Sequence, residues 1–327
     1  MNKSAKSRIQ PLHWYIDGIL NGDIVALSKA ITLVESNRED DQEVAGKILD
    51  AILPHTGKSF RVGITGVPGV GKSSFIEAMG LLLLQHQHKI AVLAVDPSSI
   101  KSGGSILGDK TRMEQLSTKA NVFIRPSPSG NRLGGVTRTT YETLLLCEAA
   151  GFDYILIETV GVGQSEIAVS KITDFFLLLM LAGAGDQLQG INRGIMEMAD
   201  ALVITKADGE NLLPAKAAKA EYAQAMHFLQ AHAGGWIPPA MICSAHKAEG
   251  LQEIYEMFVR YQTSMKAHNY FFEKRQQQQF EILREHLDEL LLRKIYRQKA
   301  LEQKLQQLSN TAIQNPFREA ERLGNEE

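Results

Sequence analysis

The stretch Gly66-Val-Pro-Gly-Val-Gly71-Lys72-Ser73 lies between a β-branched run, FRVGIT (60–65), and a segment with helical apolar spacing. A chain that leaves a strand through this glycine pattern and restarts as a helix has few folds open to it. The form G-x-x-x-x-G-K-[ST] turns successive backbone N–H groups inward at the positive end of the next helix, which makes a cradle for phosphate. Lys72 supplies a point charge for β- and γ-phosphates, and the Ser73 hydroxyl can ligate Mg²⁺. The expected cradle is Gly66, Pro68, Gly69, Val70, Gly71, Lys72, Ser73 and Ser74.

Six further strand-like runs follow at helix-sized intervals: 89–95, 121–125, 153–159, 175–181, 201–206 and 239–243. They are apolar on both faces, which suits a mostly parallel sheet covered by helices on both sides. The expected class is α/β, a P-loop NTPase fold. At 327 residues the chain has room for about two domains, or one with extensions. Residues 12–56 read as helical, with Asp23 capping a segment whose Leu27, Ile31 and Val34 share a face. Beyond residue 262 a glutamine run (Gln276–Gln279) leads into leucines at three- and four-residue steps, Phe280, Leu283, Leu287 and Leu290. The expected organisation is therefore a helical extension over 1–57, a P-loop domain over 58–262 and a helical arm over 263–327. The arm can dock on its own domain or on a second copy.

A net charge of −2 argues against a dedicated nucleic-acid binder. With only Cys147 and Cys243 there is no disulfide framework, as in a reducing compartment. The N-terminus lacks the apolar stretch of a secretory signal. The longest apolar run, 175–185, falls far short of the ~20 residues that span a bilayer. A cytoplasmic protein with no membrane and no nucleic-acid partner is expected.

A phosphoryl-transfer site needs carboxylates near its metal. Asp96 and Glu158 end predicted strands, where open α/β sheets bind ligands, and Asp109 lies in the loop SGGSILGDKTR. Beyond Glu158 the string Thr-Val-Gly161-Val-Gly-Gln164-Ser-Glu166 has the form of a switch loop. The Gly161 N–H would meet a γ-phosphate, and Gln164 would either orient the attacking water or serve as a plain loop residue. Strand 201–206 runs into Thr205-Lys206-Ala207-Asp208, close to the Asn-Lys-x-Asp pattern of GTP-binding proteins. There Asp208 would accept from the guanine N1–H and N2–H₂ and the Lys206 stem would cover the base plane. Ser244 and Ala245, at the end of a later strand, would approach the guanine O6. GTP and GDP are favoured over adenine nucleotides.

Together these residues resemble the P-loop GTPase family that includes MeaB, the methylmalonic aciduria type A protein and ArgK. The match spans roughly residues 12–262. It is most specific in DPSS (96–99), SGGSILGDKTRM (102–113), LGG (133–135), LCEAAGFD (146–153) and ETVGVGQSE (158–166). The resemblance implies Mg-GTP hydrolysis, homodimerisation through the C-terminal arm, and gating of adenosylcobalamin delivery and repair on methylmalonyl-CoA mutase or a related acyl-CoA mutase. Carried over by position, Lys72 and Ser73 hold phosphate and Mg²⁺, Asp96, Asp109 and Glu158 surround the metal, and Lys206 and Asp208 read the base. Two departures stand out. Thr205 replaces the base-side asparagine, which is expected to weaken nucleotide binding. Asn192 and Arg193 replace two lysines in the loop 182–194, which is expected to alter coupling to the partner.

Three other classes compete. A kinase of an arginine/ornithine (LAO/AO) transport system needs a second substrate pocket, for which the sequence shows no candidate. A metallochaperone GTPase needs a Cys/His cluster at ligand spacing, which the sequence lacks. A non-hydrolysing nucleotide-binding scaffold would show no turnover.

Overall fold

The computed structural model describes residues 9–96, 113–128, 135–159, 164–183, 193–227, 234–296 and 320. The chain divides into two compact units, 1–278 and 279–327.

The first unit is built on seven parallel strands: β1 Phe60–Gly66, β2 Ile90–Asp96, β3 Val122–Pro128, β4 Tyr154–Thr159, β5 Phe175–Met180, β6 Ala201–Ile204 and β7 Ala240–Ile242. Their order across the sheet is β3-β2-β4-β1-β5-β6-β7. All seven expected strands are present, and most boundaries move by one or two residues. The chain crosses from β4 to β5 on opposite sides of β1. A parallel order that reverses in this way opens a crevice beyond the strand carboxyl ends.

The apolar runs form strands because both faces are covered. Val62, Ile64, Leu156, Leu177 and Val203 pack with Phe75, Ile76, Met79 and Leu83 of helix α4, Lys72–Gln85. The i, i+4, i+8 spacing of Phe75, Met79 and Leu83 puts them on one helix face. The residues before β1 fold into α1 Leu12–Leu20, α2 Ile24–Val34 and α3 Glu39–Ile52. Asp23 caps α2 as expected, accepting from Val25 N at 2.7 Å and Ala26 N at 3.3 Å. These helices pack on the helix Gly135–Ala149. They are tied to edge strand β3 by Arg125 Nη2 and Glu35 Oε2, 2.5 Å apart.

At the amino ends of the strands lies a buried ionic group. Arg61 Nε donates to Glu148 Oε1 at 2.9 Å. Arg275 donates to Asp174 through Nε and Nη2, both at 2.7 Å. It also donates to the carbonyls of Gly57 at 2.8 Å and Ser59 at 2.6 Å. Burial works against the Arg61 guanidinium, yet the Glu148 and Asp174 charges push its pKa above the ordinary arginine value. Arg275 comes from the helix Tyr270–Tyr296, so the compact unit continues to Gln278, past the boundary at 262 that composition suggests.

In the second unit, residues 279–296 are helical and expose Phe280, Leu283, Leu287, Leu290, Leu291 and Leu292. No described helix is long and apolar enough to cross a membrane.

Candidate functional site: a phosphate cradle and the loop after β6

The carboxyl ends of β1, β4, β6 and β7 deliver the expected residues to one side of the sheet. Gly66 leaves β1 at φ +150°, where a Cβ would lie 2.5 Å from the Leu179 carbonyl oxygen, a backbone atom that cannot yield. Gly71, at φ +97°, is the N-cap of α4. Both positions need glycine, as the motif implies. Lys72 opens the helix and is buried. Its Nζ donates to the Gly66 carbonyl at 2.7 Å and lies 3.4 Å from the Val67 carbonyl. Burial lowers the Lys72 pKa, and the nearby Glu158 and Glu166 charges oppose that shift. A partly desolvated ammonium folded over the loop is suited to exchange carbonyl partners for phosphate oxygens. Pro68, Gly69 and Ser74 are exposed at the same mouth, while Val70 is buried beneath it.

Ser73 Oγ donates to Glu158 Oε1 at 3.0 Å, joining the phosphate cradle to the end of β4. Glu158 is only 8% exposed. A hydroxyl and a buried carboxylate at this separation are hard oxygen donors of the kind Mg²⁺ takes. Asp96 ends β2 two residues beyond Ala94, which pairs with Glu158. Its side chain lies outside the described residues, and so does Asp109 altogether. Among the described residues no group of three His, Cys, Asp or Glu gathers as a cation site.

Gly161 lies outside the described residues, and Gln164 is placed only as the first residue of the helix Gln164–Ser170. Thr159, where the described chain meets the switch segment, donates through Oγ1 to Thr65 Oγ1 at 2.9 Å and is fully buried. Sequence reasoning assigned no role to Glu166, which is 2% exposed and accepts from Ser165 Oγ at 3.2 Å. Its place in the string ETVGVGQSE was the available signal.

Just after β6, Lys206 takes the left-handed backbone at φ +55°. That conformation is costly for a residue with a Cβ and tends to occur at ligand sites. It is supported locally. Asn211 Nδ2 donates to the Lys206 carbonyl at 2.6 Å, and Ala207 N donates to the Cys243 carbonyl at 3.0 Å. Lys206 Nζ donates to the Gly69 carbonyl at 2.9 Å, bridging the loop after β6 and the loop after β1. Asp208 Oδ2 accepts from Ser244 Oγ, and Ser244 Oγ accepts from Lys247 N at 3.1 Å. Ser244 therefore orients the Asp208 carboxylate, a role beyond the backbone contact expected of it. Ala245 follows in the tight turn closed by the Ser244–Glu249 bridge. Thr205 does something the sequence did not suggest: its buried hydroxyl donates to the Val70 carbonyl at 2.6 Å.

A parallel sheet with this strand order, a phosphate cradle after β1 and a lysine–aspartate pair after β6 defines a P-loop NTPase. Comparison with known proteins sharpens the class. The family described as methylmalonyl-CoA mutase-associated GTPase MeaB matches residues 27–300. A probable GTPase of Mycobacterium tuberculosis is 51% identical over 268 residues, covering 81% of this chain and 80% of that protein. A mitochondrial methylmalonic aciduria type A homolog of Mus musculus is 48% identical over 271 residues, covering 80% of this chain and 65% of that protein. Among solved structures, one described as a LAO/AO transport system kinase superposes with a TM-score of 0.76 at 35% identity, covering 97% of this chain and 98% of that one. The chain belongs to the family of methylmalonyl-CoA mutase-associated GTPases. It is a GTPase.

Proposed function

We propose that this GTPase uses Mg²⁺ and acts as a chaperone that gates adenosylcobalamin loading and protection of methylmalonyl-CoA mutase or a related acyl-CoA mutase. The observation that carries this reading is the Ser73–Glu158 hydrogen bond. It couples the hydroxyl that would hold Mg²⁺ to the strand that runs directly into the switch string. In this reading Ser73, Asp96, Asp109 and Glu158 hold the metal, which would neutralise charge developing on the phosphates. The Gly161 N–H meets the γ-phosphate, Gln164 orients the attacking water, and Lys206, Asp208, Ser244 and Ala245 hold the guanine. Loss of the γ-phosphate releases the switch loop, and a partner that binds the two loop states differently feels the nucleotide.

The protein works in this reading as a homodimer through its C-terminal arm, over 263–327. The exposed Phe280, Leu283, Leu287 and Leu290 support that, because a lone helix of this kind is marginal in water. Two free, buried cysteines support a reducing, cytoplasmic setting.

The test follows adenosylcobalamin transfer to a purified acyl-CoA mutase by its visible spectrum, in the presence of GTP, GDP or a non-hydrolysable GTP analogue. The reading expects the nucleotide to change the transfer rate; identical rates in all three would refute it. The description of the similar solved structure favours one alternative, a transport-system kinase. That reading requires the γ-phosphate to appear on a protein side chain, whereas the proposed one delivers it all to water.

A further inference from the structure

The position expected to weaken base binding has another task. Thr205 follows β6 and is 3% exposed. Its Oγ1 lies 2.6 Å from the Val70 carbonyl and 3.2 Å from the Met180 carbonyl. A hydroxyl carries one proton, so it can serve only one of them. The Met180 carbonyl already accepts the Thr205 backbone N–H at 2.9 Å. The hydroxyl proton therefore goes to Val70, by the shorter contact. Val70 is itself fully buried, inside the cradle between Gly69 and Gly71. The next residue, Lys206, holds the preceding carbonyl, Gly69 O, at 2.9 Å. Two successive residues of the base-side loop thus hold two successive carbonyls of the phosphate loop, one from a buried position and one from an exposed one.

We infer that Thr205 is a positioning residue for the phosphate cradle and takes no part in reading the base. A buried hydroxyl whose single proton is committed to a backbone carbonyl has no donor to offer a nucleobase. Removing it leaves the Val70 carbonyl buried without that donor and frees the loop to relax from the conformation that phosphate requires. The loss falls on every nucleotide alike, because what is disturbed is the part all of them share. This sets Thr205 apart from Asp208, whose contribution in the proposed function depends on the base.

The experiment measures binding of GDP and of inosine diphosphate, which lacks the guanine 2-amino group, by calorimetry on the full chain. Thr205→Val replaces the hydroxyl with a methyl of similar size, and Thr205→Ser keeps the hydroxyl. The inference expects Thr205→Val to weaken both nucleotides by the same factor, about tenfold, and Thr205→Ser to stay within about threefold of the unmodified protein. Asp208→Ala, run in parallel, tests the base assignment separately: it should weaken GDP more than inosine diphosphate. If it does not, the base reading fails, while the Val-against-Ser comparison still judges Thr205. A loss confined to GDP, equal losses in the Val and Ser variants, or no loss in either would overturn the inference. Should Thr205→Val fail to fold, the same comparison runs between Thr205→Ala and Thr205→Ser.

Discussion

Arg275 and Asp174 meet in a two-point pair, Nε to Oδ1 and Nη2 to Oδ2, both at 2.7 Å, across 101 residues of sequence. Both are nearly inaccessible to water. Asp174 also accepts from the Arg61 backbone N–H at 2.8 Å, so one carboxylate holds the start of β1 and the start of the C-terminal helix together. Removing one partner from a buried pair strands the other charge, at a cost of about 3–5 kcal/mol. Arg275→Ala should lose stability on that scale in urea unfolding. Truncation after residue 262, which removes Arg275, should be similarly destabilised. Truncation after Gln278 should stay folded and bind GTP, and if the arm makes the dimer it should sediment as a monomer.

The Ser73–Glu158 contact leads to a second expectation. Glu158→Gln keeps a hydrogen-bonding partner for Ser73 but removes the charge that would attract the cation. Its GTP turnover should fall by about 10²-fold or more, and the Mg²⁺ concentration needed for half-maximal rate should rise. Steady-state phosphate release titrated with Mg²⁺ reads both. An unchanged Mg²⁺ dependence would remove Glu158 from the metal site.

Nucleotide choice should depend on Asp208. A site built to hydrogen-bond one base typically rejects a base that lacks the matching donors by ~10⁴ or more. GTP should therefore outcompete ATP strongly, and Asp208→Asn should shift preference toward xanthine nucleotides. Competition binding with GTP, ATP and XTP checks this directly.

Much of this was readable in the sequence, for identifiable reasons. The strands announced themselves because both faces of a parallel sheet are apolar, so FRVGIT and FFLLLM needed no knowledge of their neighbours. Gly66 and Gly71 were readable because their backbone angles exclude other residues. The Arg275–Asp174 pair was not, since a charge pairing across 101 residues leaves no local spacing. The Thr205–Val70 contact was not readable either, because Val70 is 135 residues away in sequence and is brought near only by the β1–β5–β6 order. Of the expected metal carboxylates, only Glu158 has a described side chain.

Thiol chemistry offers an independent check on packing. Burial pushes the Cys243 thiol up to about 12 and the Cys147 thiol higher still, the Glu148 charge adding to the latter. At pH 8 neither is a thiolate, so an aromatic disulfide reagent should label neither in the native protein. Both should react on denaturation. Fast native labelling of either would show that its part of the core opens.

In the proposed function this GTPase answers to an acyl-CoA mutase, and the most direct measurement is its GTP hydrolysis rate with and without that partner. Alone, the protein should turn over slowly, on the order of 10⁻⁴ to 10⁻² s⁻¹, as switch GTPases do before a partner accelerates them. Adding purified cognate mutase should accelerate phosphate release by about tenfold or more, which is the size of typical coupling energies between sites. Lys72→Ala should abolish the rate under both conditions. A rate that stays constant across a tenfold excess of mutase, with GTP still bound and hydrolysed, would contradict the account.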